Sequence, residues 1–135
     1  MIQFESDFFQ TINFDAKQIG DYIKSAKRDL FIAKSSDVSE VVFKFSYDAI
    51  IKLGVILIAK HGYKVRSVPG HHVKIIEKIS LILDDSTIQV IGNKMRYSRN
   101  TDLYGGNFLI SNKDTGEFLS FVGDVFARAE KFFNE

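Results

Sequence analysis

The chain has 135 residues, of which 45% are hydrophobic and 26% charged, with a net charge of +1 and no cysteine. This composition is typical of one ordinary globular domain, and it excludes a disulfide scaffold, a thiolate metal site and a strongly basic protein drawn to polyanions. No signal peptide and no apolar run of about 20 residues is visible, so we expect a cytoplasmic protein without a membrane span.

Helix-start signals recur along the chain, each a short polar residue followed three positions later by Glu or Gln. In chain order they are Asp15 with Gln18, Asp37 with Glu40, Ser86 with Gln89, and Asp114 with Glu117. Each signal precedes apolar residues at helical spacing. We therefore expect a helix to begin near each of these four positions.

The apolar spacing predicts five helices and no sheet. Their predicted ranges are about 16–34, 38–61, 71–83, 87–104 and 114–132. Pro69 and Gly70 predict a loop between the second and third helices, over 63–71, and a Gly-Gly-Asn sequence ends the fourth helix. Residues 108–110 suit a short extended piece for which the sequence offers no partner strand.

Together these elements predict an all-α fold, an antiparallel up-and-down bundle of about five helices in a single domain. Residues 1–14 are predicted to form an N-terminal arm, and about 15–133 the helical bundle. No internal repeat or linker divides the chain. The many Phe residues, concentrated in the last helix, predict a Phe-rich core.

Between Asp48 and Glu77 the chain has no acidic residue. The same stretch contains five cations and all three histidines, namely Lys52, Lys60, Lys64, Arg66, Lys74, His61, His71 and His72. Two interpretations stay open, since these side chains can be solvated helix ends or a basic surface that contacts phosphate.

Motifs for cofactors and metals are absent: the sequence has no glycine-rich phosphate loop, no paired-histidine zinc helix and no calcium loop. His71 and His72 are adjacent, so on a helix their side chains should point about 100° apart, which is a poor arrangement for one metal. We therefore expect neither a cofactor nor a metal site.

The candidate functional site is a polar run at the end of the fourth predicted helix. Arg96, Asn100 and Tyr104 share one helix face at four-residue steps, and Arg99 lies beside them. Guanidinium and amide groups suit contacts with phosphate or a nucleotide. A structural interpretation is also open, in which Arg99 and Asp102 form a surface ion pair and Tyr104 packs in the core.

The run Arg99-Asn100-Thr101-Asp102-Leu103-Tyr104 resembles the arginine-asparagine motif of HEPN domains, and His72-Val73-Lys74-Ile75-Ile76 resembles the histidine that opens their preceding helix. Residues 46–53 and 59–62 are similar to their second-helix pattern, so the likeness spans about 16–132. It implies a helical bundle, often a homodimer, that binds a nucleotide or RNA or docks a small nucleotidyltransferase. The candidate ligand-binding residues are His72, Arg96, Arg99, Asn100, Asp102 and Tyr104.

The nuclease members of that family have a histidine four to six residues after the arginine, whereas this chain has Tyr104 there and no later histidine. A tyrosine with a pKa of about 10 is a far weaker base than a histidine. The chain thus resembles a branch with tyrosine in place of the nuclease histidine, which predicts a non-catalytic module.

Two alternatives to a non-catalytic module stay open. One is a metal-independent endoribonuclease of the toxin or defence type, in which Arg99 and Asn100 hold the scissile phosphate and His72 or Tyr104 transfers protons. The other is a helical interaction protein without a ligand.

Overall fold

A computed structural model describes the backbone of residues 1–105 and 110–134, and the side chains of residues 1–101 and 110–134. Within these ranges the chain forms five α-helices and two short strands in one domain, which confirms the predicted all-α bundle. The elements are β1 Phe9–Thr11, α1 Ala16–Ser35, α2 Ser39–Lys60, β2 Tyr63–Val65, α3 His71–Ile82, α4 Ser86–Gly105 and α5 Asn112–Ala129, followed by a 3₁₀ turn, Glu130–Phe132.

The two strands correct the prediction of a fold without a sheet. β1 pairs antiparallel with β2, so that Phe9 lies opposite Val65 and Thr11 lies opposite Tyr63. β2 therefore occupies the beginning of the segment that was predicted as a loop. A three-residue strand carries almost no period-2 signal, and its partner lies far earlier in the chain, in the N-terminal arm.

The cap of α1 is the one that the sequence predicts. Oδ1 of Asp15 accepts a hydrogen bond from the Gln18 backbone N–H at 2.8 Å, and the Asp15 backbone N–H donates to Oε1 of Gln18 at 2.9 Å. These reciprocal bonds satisfy two backbone donors that the first turn of the helix would otherwise leave unpaired.

The other three predicted caps are wrong, although the helices begin within two residues of the expected positions. Val38 precedes α2 and makes no side-chain cap, so Asp37 does not cap that helix. Asp85 accepts from the Thr87 backbone N–H at 2.9 Å at the start of α4. Ser111 accepts from the Asp114 backbone N–H at 3.0 Å at the start of α5.

The hydrophobic core is built around α2, which packs against α1, α3 and α5. As predicted, α2 is buried on nearly all sides beyond Ala49, and α5 supplies the Phe-rich stripe. Buried residues of these two helices include Ile50, Leu53, Ile56, Leu57, Phe118, Val122, Val125 and Phe126. No helix in the described part of the chain is long and apolar enough to cross a membrane.

α3 lies between α2 and α4, and two glycines allow the three helices to approach closely. A Cβ atom on Gly54 of α2 would clash with Cγ2 of Ile75, and one on Gly92 of α4 would lie 2.7 Å from Cγ2 of Ile76. Any larger residue would push α3 away from its neighbours. This spacing brings the first turn of α3 close to both α2 and α4.

The N-terminal arm is attached to α3 by a buried ammonium group. Lys78 is only 1% exposed, and its Nζ lies 3.0 Å from a carboxylate oxygen of Glu5 and 3.0 Å from one of Glu77. The rings of Phe4 and Phe9 lie 5.6 and 5.4 Å from the same Nζ. A buried cation is tolerated when it is paired and hydrogen-bonded, so the arm is an integral part of the packed domain.

Candidate functional site

The candidate site lies where α2, α3 and α4 meet, and one residue from each helix defines it. The hydroxyl oxygen of Tyr47 on α2 lies 2.9 Å from Nδ1 of His72 on α3. The guanidinium carbon of Arg99 on α4 lies 5.4 Å from the centroid of the Tyr47 ring, within the range of a cation–π contact. Tyr47 is therefore the residue that connects the other two.

The start of α3 determines the position of His72. Gly70 precedes the helix with φ of 82°, a left-handed conformation that glycine adopts without strain. Nδ1 of His71 lies 2.9 Å from the Val68 carbonyl oxygen, so it is His71 that contacts the backbone at the helix start. This leaves His72 to reach across to Tyr47.

The two arginines of α4 are half-buried, and their polar partners among the described residues are weak. Nε of Arg96 donates to Oδ1 of Asn93 at 3.4 Å, and Nη1 of Arg99 donates to Oδ1 of Asn100 at 3.4 Å. Both distances lie at the long end for a hydrogen bond. Among the described side chains, neither guanidinium group has a carboxylate within ion-pair distance.

His72 is neutral at physiological pH. Burial above all, together with the neighbouring His71, Arg99 and Arg96, lowers the pKa of His72 to about 4, while Asp48 has the opposite effect. Because an imidazolium would be both desolvated and repelled by the two arginines, the neutral ring is strongly favoured.

Tyr47 is neutral as well. Burial raises the pKa of Tyr47 to about 12, although Arg99 and Arg96 favour its ionised form. The bond between Tyr47 and His72 thus joins two neutral groups, and each can donate or accept. When the hydroxyl donates to Nδ1, the other ring nitrogen of His72, Nε2, carries the hydrogen and can donate to a ligand.

The structure brings together four of the six residues that the sequence singled out. His72, Arg96 and Arg99 act on one another electrostatically, and Asn100 contacts Arg99. Asp102 and Tyr104 lie in α4, but their side chains fall outside the described part, as do the predicted Arg99 to Asp102 ion pair and most of the possible extended piece at 108–110.

Tyr47 is the site residue that the sequence prediction missed. A signal existed, because a tyrosine in an otherwise apolar buried helix must find a partner for its hydroxyl. The identity of that partner depends on how α2 and α3 pack, which no local pattern gives.

The stretch without acidic residues does not form one basic surface. Lys52 pairs with Asp29 of α1 at 2.7 Å, and Nε of Arg66 donates to the Ser6 carbonyl oxygen at 2.9 Å. Nζ of Lys74 lies 3.7 Å from Glu5. Groups from α1 and the arm therefore hold these three cations, and the basic-surface interpretation of the stretch is not supported for them.

The two adjacent histidines are closer than the sequence suggested. The rings of His71 and His72 meet edge to face with their centroids 4.5 Å apart, instead of pointing away from each other. Within the described side chains, no group of three or more His, Asp or Glu residues is arranged to hold a metal ion.

Arg99 lies against the Tyr47 ring, and Arg96 and Arg99 both act electrostatically on the neutral imidazole of His72, so these groups can together receive an anion. Guanidinium groups form paired, charge-assisted hydrogen bonds with phosphate oxygens, and a neutral imidazole adds one more donor. A histidine of such low pKa is a poor proton acceptor, so the arrangement suits binding better than proton transfer. No protein-family model, curated protein or solved structure matches this chain, and its resemblance to HEPN domains therefore rests on the residues quoted above.

Proposed function

We propose that this chain is a non-catalytic, HEPN-type helical module that binds a nucleotide or RNA. The observation that carries the proposal is the convergence of Arg96 and Arg99 on the Tyr47 and His72 pair, without a carboxylate partner among the described side chains. A bound phosphate would offset the cost of half-burying two cations that lack an acidic partner in the described part of the chain. Asn100 would add an amide contact.

The proposed function also includes the further binding residues, the partners and the cellular location that the resemblance to HEPN domains implies. Asp102 and Tyr104 would extend the ligand-binding face along α4. A small nucleotidyltransferase would be a docking partner, two copies would form a homodimer, and the protein would act in the cytoplasm.

The protonation state of the site favours binding over catalysis. A general base works best when its pKa is close to the working pH. The pKa of His72 lies at about 4 and that of Tyr47 at about 12, so neither group exchanges protons efficiently near pH 7.

One observation favours a metal-independent endoribonuclease as the second candidate. His72 comes from a different helix than Arg99, yet both contact Tyr47. A histidine is thus present beside the arginine-asparagine motif although none follows it in sequence. A bound phosphate would raise the pKa of His72 and make it a better proton carrier.

The test is to measure binding of single-stranded RNA and AMP to the purified protein, with a chelator present and at two salt concentrations. We expect binding that weakens with salt, since phosphate contacts release counterions. Arg99→Ala should weaken it about tenfold or more, because it removes charge-assisted hydrogen bonds. Arg99→Lys should recover part of the affinity by restoring the charge without the planar fork.

The matched control is Arg28→Ala, which removes the same charge from an exposed position on α1, a helix that packs on α2 and α5. It should leave binding unchanged. RNA cleavage that depends on both Arg99 and His72 would establish the endoribonuclease instead. Absence of binding and cleavage would leave a helical interaction protein, and light scattering on the same samples would test the homodimer.

A further inference from the structure

The donors of the candidate site match one kind of phosphate group better than another. Arg96 and Arg99 each offer a guanidinium group, and Nε2 of His72 has no hydrogen bond among the described residues, because the bond to Tyr47 uses Nδ1. A phosphate at the end of a nucleotide or chain has three free oxygens, whereas a phosphodiester inside a chain has two. Three donor groups therefore suit the terminal phosphate.

The charge of the side chains around the site also favours a terminal phosphate over an internal phosphodiester. Asp48, the acidic residue that acts on His72 and Tyr47, is paired with Lys44 at 2.8 Å, so its charge is balanced within α2. His72 and Tyr47 are both neutral. Among the described side chains, the two arginines thus contribute about two positive charges, which match the charge of about −1.5 to −2 on a phosphomonoester at pH 7 better than the single charge of a diester.

The burial of the donors gives a steric reason. His72, Arg96, Arg99 and Asn100 are all half-buried where three helices meet, so neighbouring residues cover part of each donor. The end of a chain can enter such a place with its phosphate first. An internal phosphodiester would have to bring a nucleotide on each side into the same space.

We propose that this site recognises a terminal phosphomonoester, the phosphate at the end of a nucleotide or RNA, in preference to an internal phosphodiester. The inference rests on the proposed function and names the ligand class of the same site. His72 would then determine specificity, since it supplies the third donor, and Tyr47 would be the positioning residue that directs Nε2 towards the ligand.

The experiment compares one short single-stranded RNA in three forms: with a 5′-phosphate, with a 3′-phosphate, and with hydroxyl groups at both ends. AMP and 3′,5′-cyclic AMP form a second pair, in which a cyclic diester replaces the monoester. We expect at least one phosphorylated RNA to bind about tenfold more tightly than the hydroxyl form, and AMP to bind more tightly than its cyclic form. The two phosphorylated RNAs show which end is recognised.

The variants separate this inference from the proposed function. His72→Gln should weaken binding of the phosphorylated RNA more than binding of the hydroxyl form, and Tyr47→Phe should act in the same direction. Circular dichroism verifies that each variant is folded, and the comparison of ligands on the unaltered protein needs no variant. Equal binding of all three RNAs would overturn the preference and leave RNA binding intact, whereas no binding of any ligand would overturn both proposals.

Discussion

Tyr47 and His72 are joined by a hydrogen bond of 2.9 Å across the contact between α2 and α3, although they belong to separate helices and neither is charged. The bond directs Nδ1 of His72 towards α2 and leaves Nε2 without a hydrogen bond among the described residues. A buried tyrosine thereby controls the orientation of the candidate ligand group without taking part in the polar run that the sequence emphasises.

We expect His72 to titrate near pH 4, because burial and the neighbouring cations disfavour the imidazolium. An unfolded histidine binds its proton from about pH 6.5 downwards, so between these values the unfolded state holds more protons than the folded state. The free energy of unfolding should therefore fall as the pH is lowered from about 6.5 to 4, and His72 should have no effect above that window. The titration of the His72 Cε1 proton by NMR measures this directly.

His72→Gln should remove this component of the pH dependence. His61→Gln is the control, since Nδ1 of His61 contacts the Leu57 carbonyl oxygen at the C-terminal end of α2, away from Tyr47. A His72 resonance that titrates near pH 6.5 would contradict the burial of the ring.

Glu5→Gln should destabilise the protein by about 1–3 kcal/mol. The substitution leaves the buried ammonium of Lys78 with one carboxylate, from Glu77, among its described partners. The loss should be smaller than that of a fully buried pair, because the Glu5 side chain is 40% exposed to solvent. Urea denaturation measures the change.

The same pair should make stability sensitive to acid. The hydrogen bond from Lys78, together with a backbone hydrogen bond, lowers the pKa of Glu5. The stability that the ionised Glu5 carboxylate contributes is thus fully present above the ordinary carboxyl pKa. It is lost as the pH falls through the lower pKa of Glu5 in the folded state. The control is Glu117→Gln, at an exposed position on α5, which should change the free energy of unfolding by less than about 0.5 kcal/mol. An equal loss of stability in Glu5→Gln and Glu117→Gln would argue against the buried pair.

Gly54→Ala should cost about 1–3 kcal/mol, because the new methyl group would clash with Ile75 and force α3 away from α2. Thermal denaturation followed by circular dichroism measures the loss. The matched control is Gly123→Ala on α5, where nothing lies within 4 Å of the new atom. That variant should be more stable by about 0.5–1 kcal/mol, as expected for replacing an unhindered helical glycine. Similar effects of both substitutions would show that α3 is free to shift.

Ser111→Ala should destabilise the protein by about 0.5–2 kcal/mol, since Ser111 provides the side-chain cap of α5. Asp37→Ala should have almost no effect, because α2 begins without a side-chain cap. Chemical denaturation of the two variants compares a cap that the structure shows with one that only the sequence suggests. A larger loss in Asp37→Ala would reverse the assignment.

The sequence predicts the helices well because their information is local. The apolar stripe of α5, from Phe118 to Ala129, and the reciprocal cap of Asp15 and Gln18 both depend on residues within a few positions of each other. The prediction failed at Ser111 because several polar residues near that helix start can serve as caps, and the choice depends on where the preceding chain turns.

The candidate site could be predicted only in part, because some of its contacts join residues that are far apart in the sequence. The residues of α4 stand together in the sequence, so Arg96, Arg99 and Asn100 were identified. The partnership of Tyr47 with His72 and the close approach at Gly54 arise from the packing of separate helices. The pairing of β1 with β2 also joins residues that are far apart in the sequence, and each strand is too short to show a period-2 pattern.

The attachment of the N-terminal arm has a consequence for the order in which the domain is completed during synthesis. Glu5 and Phe9 are made well before Lys78 and the β2 strand with which they pair. While α1 and α2 emerge from the ribosome, Tyr63, on which Phe4 stacks, and Lys78, which lies over the Phe9 ring, have not yet been made. The contacts of the arm can therefore be completed only after β2 and α3 have been translated, and a chain arrested before β2 would leave Phe4 and Phe9 as exposed apolar surface that chaperones can bind.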